Sequence, residues 1–182
     1  MPLVTRLLAL AAPLLACAFV GTASGDALPY HARAMASVGV ELPLADRVLV
    51  RKAERRMYLM RGDDVLRAYR IALGLNPGGA KERAGDFRTP EGSYRLTRRN
   101  TRSDFFLSIQ VNYPSVQDVQ HARRNGWDPG GSIMIHGLPN RLKRDPDYYS
   151  RDWTDGCIAV SNSDMVEIWL LTNNNTPIDI LP

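Results

Sequence analysis

Apolar and polar residues alternate along much of the chain with a period of two, which is the pattern of half-buried β-strands. The clearest alternation runs from residue 105 to residue 111. Between two other runs, Arg61-Gly62-Asp63-Asp64 has the composition of a β-hairpin turn. Shorter apolar runs predict further strands at residues 48–50, 57–60, 65–73, 133–136, 157–160 and 178–181. The chain is therefore predicted to be mainly β.

Two segments have the sequence pattern of a helix start, in which a serine is followed three residues later by an acidic residue. Ser115 and Asp118 predict one helix, which Gly126 should end. Ser161 and Asp164 predict a second helix, whose apolar residues recur on one face and should enter the core. These apolar residues are Met165, Ile168, Trp169 and Leu171.

Two long connections, residues 74–92 and 137–155, separate the predicted elements. A compact domain seldom keeps about twenty residues without regular structure unless they have a use. The second connection contains Tyr148, Tyr149 and Trp153, aromatic residues suited to a lid that shields a reaction intermediate from water. The alternative for Trp153 is a place in the core.

The amino terminus has the three parts of an export signal: a basic start, an apolar run at residues 7–20 and the small residues Ala23-Ser24-Gly25. We expect residues 1–25 to be a signal peptide that directs the protein to the periplasm. Cleavage before Cys17, which would leave a lipid-anchored protein, is the alternative. Residues 26–45 contain two prolines around an alanine-rich stretch and are expected to form an amino-terminal arm.

Loss of residues 1–25 would leave 22 basic against 19 acidic residues, a net charge of +3. This excess suits an anionic polymer such as the cell wall, but scattered basic residues are also typical of a solvated surface. We expect no nucleic-acid partner, no metal and no cofactor, because the chain lacks phosphate loops and the usual metal-ligand spacings. We expect a single catalytic domain at residues 46–182, and a monomer.

The candidate chemistry centres on one cysteine and one histidine. Cys157 is the only cysteine after the leader, so it cannot form an internal disulfide, and Gly156 before it permits close backbone approach. A thiol nucleophile needs a base. Of the three histidines, His136 ends an apolar run and is followed by Gly137, whereas His31 lies in the arm and His121 in a surface helix. His136 is therefore the candidate base.

The motifs around these residues resemble those of the L,D-transpeptidase catalytic domain family, of the YkuD type and nearest its YafK-like branch. The resemblance covers residues 46–182 and rests on Ile135-His136-Gly137, on Trp153-Thr154-Asp155-Gly156-Cys157-Ile158-Ala159-Val160 and on Gly85-Asp86-x-x-Thr89-Pro90-Glu91-Gly92-x-Tyr94. It implies a bent β-sandwich or partial barrel with two short helices. The Gly85–Tyr94 segment is expected to support the catalytic groove.

The resemblance also implies the roles of individual residues. Cys157 would be the nucleophile and His136 the general base, held in the correct tautomer by the backbone carbonyl of Gly137. Backbone N–H groups around Asp155, Gly156 and Cys157 would form the oxyanion hole. Thr154, Tyr148, Tyr149 and Trp153 are assigned to substrate binding.

The cysteine motif departs from the common family pattern at two positions. Many members have Ser-His-Gly-Cys-Ile-Arg, whereas this chain has Asp155 in place of the histidine and Ala159 in place of the arginine. The first change removes a polar wall of the pocket and the second a candidate carboxylate anchor. Asp155 faces an amine or caps the turn. The substrate preference is therefore expected to differ.

By resemblance, the substrate is the stem peptide of peptidoglycan. Cys157 would attack the carbonyl of the L-centred diamino acid, release D-Ala and pass the acyl group to the amine of a neighbouring stem, giving a 3→3 cross-link. Attack after L-Ala, giving a 1→3 link, is the first alternative. A cysteine hydrolase that trims stems or releases wall-bound protein, and a non-catalytic wall-binding module, are the others.

Overall fold

The computed structural model describes residues 42–141 and 148–182, so the predicted signal peptide and most of the predicted arm lie outside the described residues. The described residues form eight strands and two α-helices, α1 (Val116–Arg124) and α2 (Asn162–Leu171), with one turn of 3₁₀ helix at Tyr148–Ser150. The strands are β1 (Arg47–Arg51), β2 (Arg56–Arg61), β3 (Asp64–Arg70), β4 (Gly92–Ser103), β5 (Phe106–Val111), β6 (Met134–His136), β7 (Ile158–Ala159) and β8 (Pro177–Leu181).

The eight strands form one unclosed sheet in the order β3-β2-β1-β8-β4-β5-β6-β7. The pairs β1–β8 and β6–β7 are parallel, and the others are antiparallel. Strand β4 joins two parts of the sheet, because Gly92–Arg95 pair with β8 whereas Leu96–Ser103 pair with β5. The predicted mainly β fold with two short helices is confirmed.

Both helices begin where their sequences predict. Ser115 caps α1, and its hydroxyl accepts from the Asp118 N–H at 3.2 Å while the Asp118 carboxylate accepts from the Ser115 N–H at 2.7 Å. This reciprocal pair satisfies two N–H groups that a helix start leaves unpaired. Ser161 caps α2 by accepting from the Asp164 N–H at 3.1 Å. The predicted core face of α2 is confirmed for Met165, Ile168 and Leu171, which are buried.

The sheet differs from the sequence prediction at two places. Strand β4, the longest, was not expected, because only Tyr94 and Leu96 among its twelve residues are buried and no apolar alternation marks it. Strand β4 is instead defined by its backbone pairing with β5 and β8. The strand predicted at residues 65–73 ends at Arg70, after which Ala72 and Gly74 pair singly with Ala159 and Thr154. The chain thereby passes from the end of the sheet at β3 to the end at β7.

A buried lysine holds the long connection between β3 and β4. Lys52, which follows β1, is 2% exposed. Its Nζ donates to the carbonyl oxygens of Gly79 at 2.6 Å and Thr89 at 3.0 Å, and to the Glu91 carboxylate at 2.7 Å. All three donors of the ammonium group are thus paired, as a buried charge requires. The connection is irregular but firmly attached to the sheet.

Within residues 42–141 and 148–182, no helix is both long and apolar enough to cross a membrane.

Removal of the Lys52 ammonium group should destabilise the fold. We expect Lys52→Ala to lower the free energy of unfolding by about 3 kcal/mol, because the half-buried Glu91 carboxylate and two carbonyls lose their partner. Arg51→Ala is the matched control, since Arg51 forms only a surface pair with Glu54 and should cost less than about 1 kcal/mol. Urea unfolding of both variants measures the difference. Equal losses would contradict the assigned role of Lys52.

Candidate active site

A cavity of about 790 Å³ opens on the part of the sheet formed by β4 to β7, and both His136 and Cys157 line it. Its volume is typical of small-molecule sites. The two side chains share a wall because β6 and β7 are parallel neighbours, with Ile135 opposite Ile158 and His136 opposite Ala159. Cys157 directly precedes β7, so alternation along the strand places it on the face of Ala159 and His136.

His136 is held in one tautomer. It ends β6, is 3% exposed, and its Nδ1 lies 2.7 Å from the carbonyl oxygen of Gly137, the arrangement that the family resemblance implies. Because a carbonyl only accepts, the proton resides on Nδ1 and Nε2 keeps its lone pair. Burial lowers the pKa of His136, and the Gly137 hydrogen bond partly offsets that effect. The imidazole is therefore a neutral base at neutral pH.

Gly137 has no space for a side chain. A Cβ on this residue would lie 2.5 Å from Oδ1 of Asn162, the oxygen that accepts from the Leu138 N–H at 2.8 Å. The absence of a Cβ lets the start of α2 approach the end of β6. This contact fixes the backbone whose carbonyl orients His136.

Cys157 is half-buried and free of disulfides, and its Sγ lies 3.5 Å from the carbonyl oxygen of Ser132. Burial raises the pKa of the thiol, and the negative charge of Asp155 raises it further. The Met134 N–H and the Lys81 ammonium group act in the opposite direction. Since the pKa of Cys157 is raised and that of His136 is lowered, the resting pair is a neutral thiol and a neutral imidazole.

The turn that carries Cys157 is built around the Thr154 hydroxyl. Its Oγ1 donates to the carbonyl oxygen of Cys157 at 2.7 Å and accepts from the Gly156 N–H at 3.2 Å. Gly156 has φ +129°, and a Cβ there would lie 2.6 Å from the carbonyl oxygen of Arg88. Any other residue at position 156 would therefore be strained and would collide with the neighbouring backbone.

The hydrogen bonds of this turn involve two residues with predicted roles in the site. The Gly156 N–H, predicted as an oxyanion donor, already donates to Thr154. Thr154, predicted to bind substrate, lines the cavity, and its hydroxyl makes both of its hydrogen bonds within the turn. Within the described part of the chain, the N–H groups of Asp155 and Cys157 have no hydrogen-bond acceptor. Of the predicted oxyanion donors, these two N–H groups are the ones without an acceptor in the protein.

An ion pair fixes the chain just before the turn. The Arg55 guanidinium donates to both carboxylate oxygens of Asp152, at 2.8 to 3.2 Å. Asp152 also accepts from the Leu73 N–H at 2.8 Å, and the Leu73 carbonyl oxygen accepts from the N–H groups of Trp153 at 3.2 Å and Thr154 at 3.1 Å. Because the guanidinium binds both carboxylate oxygens, this ion pair restricts the orientation of Asp152 more than a single hydrogen bond would.

The Gly85–Tyr94 segment packs directly behind the turn, which fits its expected supporting role. The Arg88 carbonyl contacts Gly156, and the buried Thr89 hydroxyl accepts from the Gly74 N–H at 3.2 Å. Asp86 forms a buried pair with Lys81 at 2.7 Å. Although burial raises the pKa of Asp86, hydrogen bonds from Lys81 and three backbone N–H groups lower it to about 2. Lys81 thereby places a fixed cation in the cavity wall.

The predicted aromatic residues form a wall beside His136. Trp153 is 8% exposed, and its ring centroid lies 5.6 Å from that of His136, 6.1 Å from that of Phe105 and 5.3 Å from that of Tyr149. This burial agrees with the core alternative for Trp153 more than with a mobile cover. Tyr149 lines the cavity. The side chain of Tyr148 lies outside what the structure describes.

The cavity lining also includes polar residues that were not among the sequence candidates, notably Asn100, Arg102 and Ser108. Ser108 lies directly opposite His136 in the β5–β6 pair. Ser108 occupies a polar position in the alternating run at residues 105–111, so its place on the polar face of the strand could be predicted from the sequence. The sequence does not indicate that this face lines a cavity. Within the described residues, no three His, Cys, Asp or Glu side chains are grouped as metal ligands.

The fold agrees with the comparisons to known proteins. The sequence model of the YkuD family, the L,D-transpeptidase catalytic domain, matches residues 45–180. The chain is 29% identical over 124 residues to an Escherichia coli strain K12 protein named "Putative L,D-transpeptidase YafK", covering 65% of this chain and 43% of YafK. The chain thus spans less than half the length of this curated relative.

Two solved structures resemble the fold at 25% sequence identity. One is Bd1075 of Bdellovibrio bacteriovorus, with a TM-score of 0.52 over 76% of this chain and 48% of that chain. The other is Pgp2 of Campylobacter jejuni, a helical cell shape determining protein, with a TM-score of 0.55 over 73% and 46%. Fold and cavity together define a cysteine- and histidine-containing domain of the transpeptidase class. The chain belongs to the YkuD family of L,D-transpeptidase catalytic domains.

The raised pKa of Cys157 predicts slow alkylation at neutral pH. In a chain that begins at residue 26, we expect the rate with iodoacetamide to rise with pH and to reach its midpoint above about 8.5, the ordinary thiol value, because only the thiolate reacts. Asp155→Asn should move the midpoint downwards by removing a negative charge. The urea-unfolded chain provides the reference midpoint. A native midpoint below 7 would indicate a preformed thiolate and contradict the neutral pair.

The burial of Trp153 predicts a large stability loss on truncation. We expect Trp153→Ala to lower the free energy of unfolding by about 3–5 kcal/mol, since the rings of His136, Phe105 and Tyr149 lose their packing partner. Trp127→Ala, at a half-buried tryptophan outside the cavity, is the control and should cost less. Urea unfolding monitored by circular dichroism measures both. A loss below about 1 kcal/mol would favour a mobile lid.

Proposed function

We propose that this domain is a peptidoglycan L,D-transpeptidase that forms 3→3 cross-links through a Cys157 thioester. The observation that carries the proposal is a thiol and a neutral imidazole on one wall of a substrate-sized cavity, in a chain that belongs to the L,D-transpeptidase catalytic domain family. The export signal predicted at residues 1–25 would bring this domain to the periplasm, where its substrate lies.

Acylation would begin with proton transfer from the Cys157 thiol to Nε2 of His136, since the resting pair is neutral. The sulfur attacks the carbonyl carbon of the L-centred diamino acid in a donor stem, and backbone N–H groups of the turn stabilise the oxyanion. The bond to the D-Ala nitrogen then breaks, and His136 returns the proton to that nitrogen. D-Ala leaves, and Cys157 retains the acyl group as a thioester.

In the transfer step, the amine of the acceptor stem would be the nucleophile and the Cys157 sulfur would be the leaving group. The side-chain amine of the diamino acid in a neighbouring stem attacks the thioester carbonyl, and Nε2 of His136 takes a proton from the attacking nitrogen. The C–S bond breaks as the new amide C–N bond forms, and the proton on His136 returns to the Cys157 sulfur. Thioesters suit this step because they favour amines over water more than oxygen esters do.

The same acyl-enzyme chemistry serves two variants of this function. Attack at L-Ala would give 1→3 links, and water in place of the amine would make the protein a hydrolase of stems or of wall-bound protein. The likeness to Pgp2, a helical cell shape determining protein, supports a role in cell shape. The products of one assay distinguish these reactions.

The assay incubates the chain from residue 26 with purified disaccharide-tetrapeptide and determines the product masses. We expect a dimer that has lost one D-Ala, the product of 3→3 transfer. Tripeptide monomer alone would identify a hydrolase, and a product linked through L-Ala would identify 1→3 transfer. No change of mass with folded protein would leave the non-catalytic binding module as the function.

Two substitutions test the assigned groups in that assay. Cys157→Ala should abolish every product, and His136→Ala should slow product formation by about 10²–10⁴-fold, the usual contribution of a general base. His121→Ala is the matched control, because His121 is exposed on α1 and lies outside the cavity. A His136→Ala rate within a few-fold of the His121→Ala rate would show that another group is the base.

A further inference from the structure

A row of polar side chains crosses the sheet beside the candidate base. Asn100 of β4 lies directly opposite Ser108 of β5, and Ser108 lies directly opposite His136 of β6. All three residues line the cavity. Residues directly opposite in antiparallel strands have Cβ atoms about 4.5–5.5 Å apart, so their side chains are within reach of one small group. The row extends from His136 away from Cys157.

Ser108 is a mostly buried residue whose hydroxyl opens on the cavity and is not used by the protein. The residue is 3% exposed and lies on a paired strand, yet its hydroxyl makes no hydrogen bond within the described part of the chain. The hydroxyl is therefore free to donate one hydrogen bond and to accept others from a molecule in the cavity. Because this hydroxyl faces the cavity, a bound molecule is the partner that its position favours.

Asn100 is oriented to donate. Its Oδ1 accepts from the Arg102 backbone N–H at 2.9 Å, which directs the Nδ2 amide hydrogens elsewhere. These hydrogens have no acceptor among the described residues. The Asn100 amide can therefore offer a ligand two N–H donors.

Arg102 adds a positive charge to the same end of the cavity. It lies two residues after Asn100 in β4, lines the cavity and forms no ion pair with any side chain that the structure describes. Two acidic residues, Asp104 and Asp155, also line the cavity, but neither pairs with Arg102 there. The guanidinium group therefore has its donors available, and these match the two oxygens of a carboxylate.

A hydroxyl, an amide and a guanidinium group next to the base together fit a carboxylate. In the proposed reaction, Nε2 of His136 must reach the nitrogen of the leaving D-residue, and the α-carboxylate of that residue is one carbon away from this nitrogen. We propose that Asn100, Arg102 and Ser108 form a subsite for the free α-carboxylate of the leaving residue. The subsite rests on the proposed function, and it restricts donors to stems whose leaving residue is the last.

This assignment also accounts for the missing arginine of the cysteine motif. Ala159, which occupies that position, lies opposite His136 on the β7 side, whereas Ser108 lies opposite His136 on the β5 side. Ala159 is buried against Ala72 and Trp153 and is not part of the cavity lining. The carboxylate anchor thus lies across the histidine from the position where many family members carry arginine.

Binding to the Cys157→Ala variant tests the subsite without turnover. Calorimetry compares two synthetic tetrapeptides of the stem sequence that differ only in a carboxylate or a carboxamide at the terminal D-Ala. We expect the carboxylate form to bind about 10- to 100-fold more tightly, the usual effect of a charge-assisted hydrogen bond. Adding Arg102→Ala should remove most of this preference, Ser108→Ala should reduce it, and Arg102→Lys should retain part of it.

Arg98→Ala is the matched control, because Arg98 is exposed on β4 and lies outside the cavity. It removes the same charge and should keep the full preference. Equal binding of the two peptides, binding of neither, or an unchanged preference in both folded Arg102→Ala and folded Ser108→Ala would overturn the subsite. A preference without turnover by the wild-type chain would support the subsite and refute the transferase function, so the two failures are distinguishable.

Discussion

The site depends on one close backbone contact, between Gly156 and the Arg88 carbonyl. A Cβ at position 156 would lie 2.6 Å from that oxygen, so the turn carrying Cys157 can pack against the Gly85–Tyr94 segment only because it has no side chain there. Within the turn, the Thr154 hydroxyl donates to the Cys157 carbonyl and accepts from the Gly156 N–H. The thiol is thereby fixed by backbone packing from behind, which leaves its cavity side open for chemistry.

Two partly buried ion pairs extend this fixation to the rest of the sheet. Lys52 attaches the long β3–β4 connection to β1, and the Arg55–Asp152 pair attaches the start of the nucleophile turn to the same region. Buried ion pairs contribute little net stability compared with apolar packing, but breaking one is costly and their geometry is directional. In this protein each ion pair holds an irregular segment of the site in position.

Burial sets the protonation states as well as the positions. It raises the pKa of Cys157 and lowers that of His136, so both groups are neutral before substrate binds. In the proposed reaction, attack by sulfur would therefore require proton transfer to His136, whose tautomer is set by Gly137. A neutral thiol is also less exposed to oxidation than a thiolate, which suits a cysteine that has no disulfide partner in the described structure.

Local patterns in the sequence determined the fold class, most strands and both helix starts, because alternation and capping act between neighbours in the chain. Short motifs also singled out His136 and Cys157, which the structure places in the lining of one cavity. Strand β4 was not predicted, because its arginine-rich sequence has no apolar alternation. Its backbone pairing with β5 and β8 defines it as a strand. The bonding of Thr154 and the row from Asn100 through Ser108 to His136 depend on register between distant segments. Only tertiary structure decides such register, because it follows from the packing of the whole sheet.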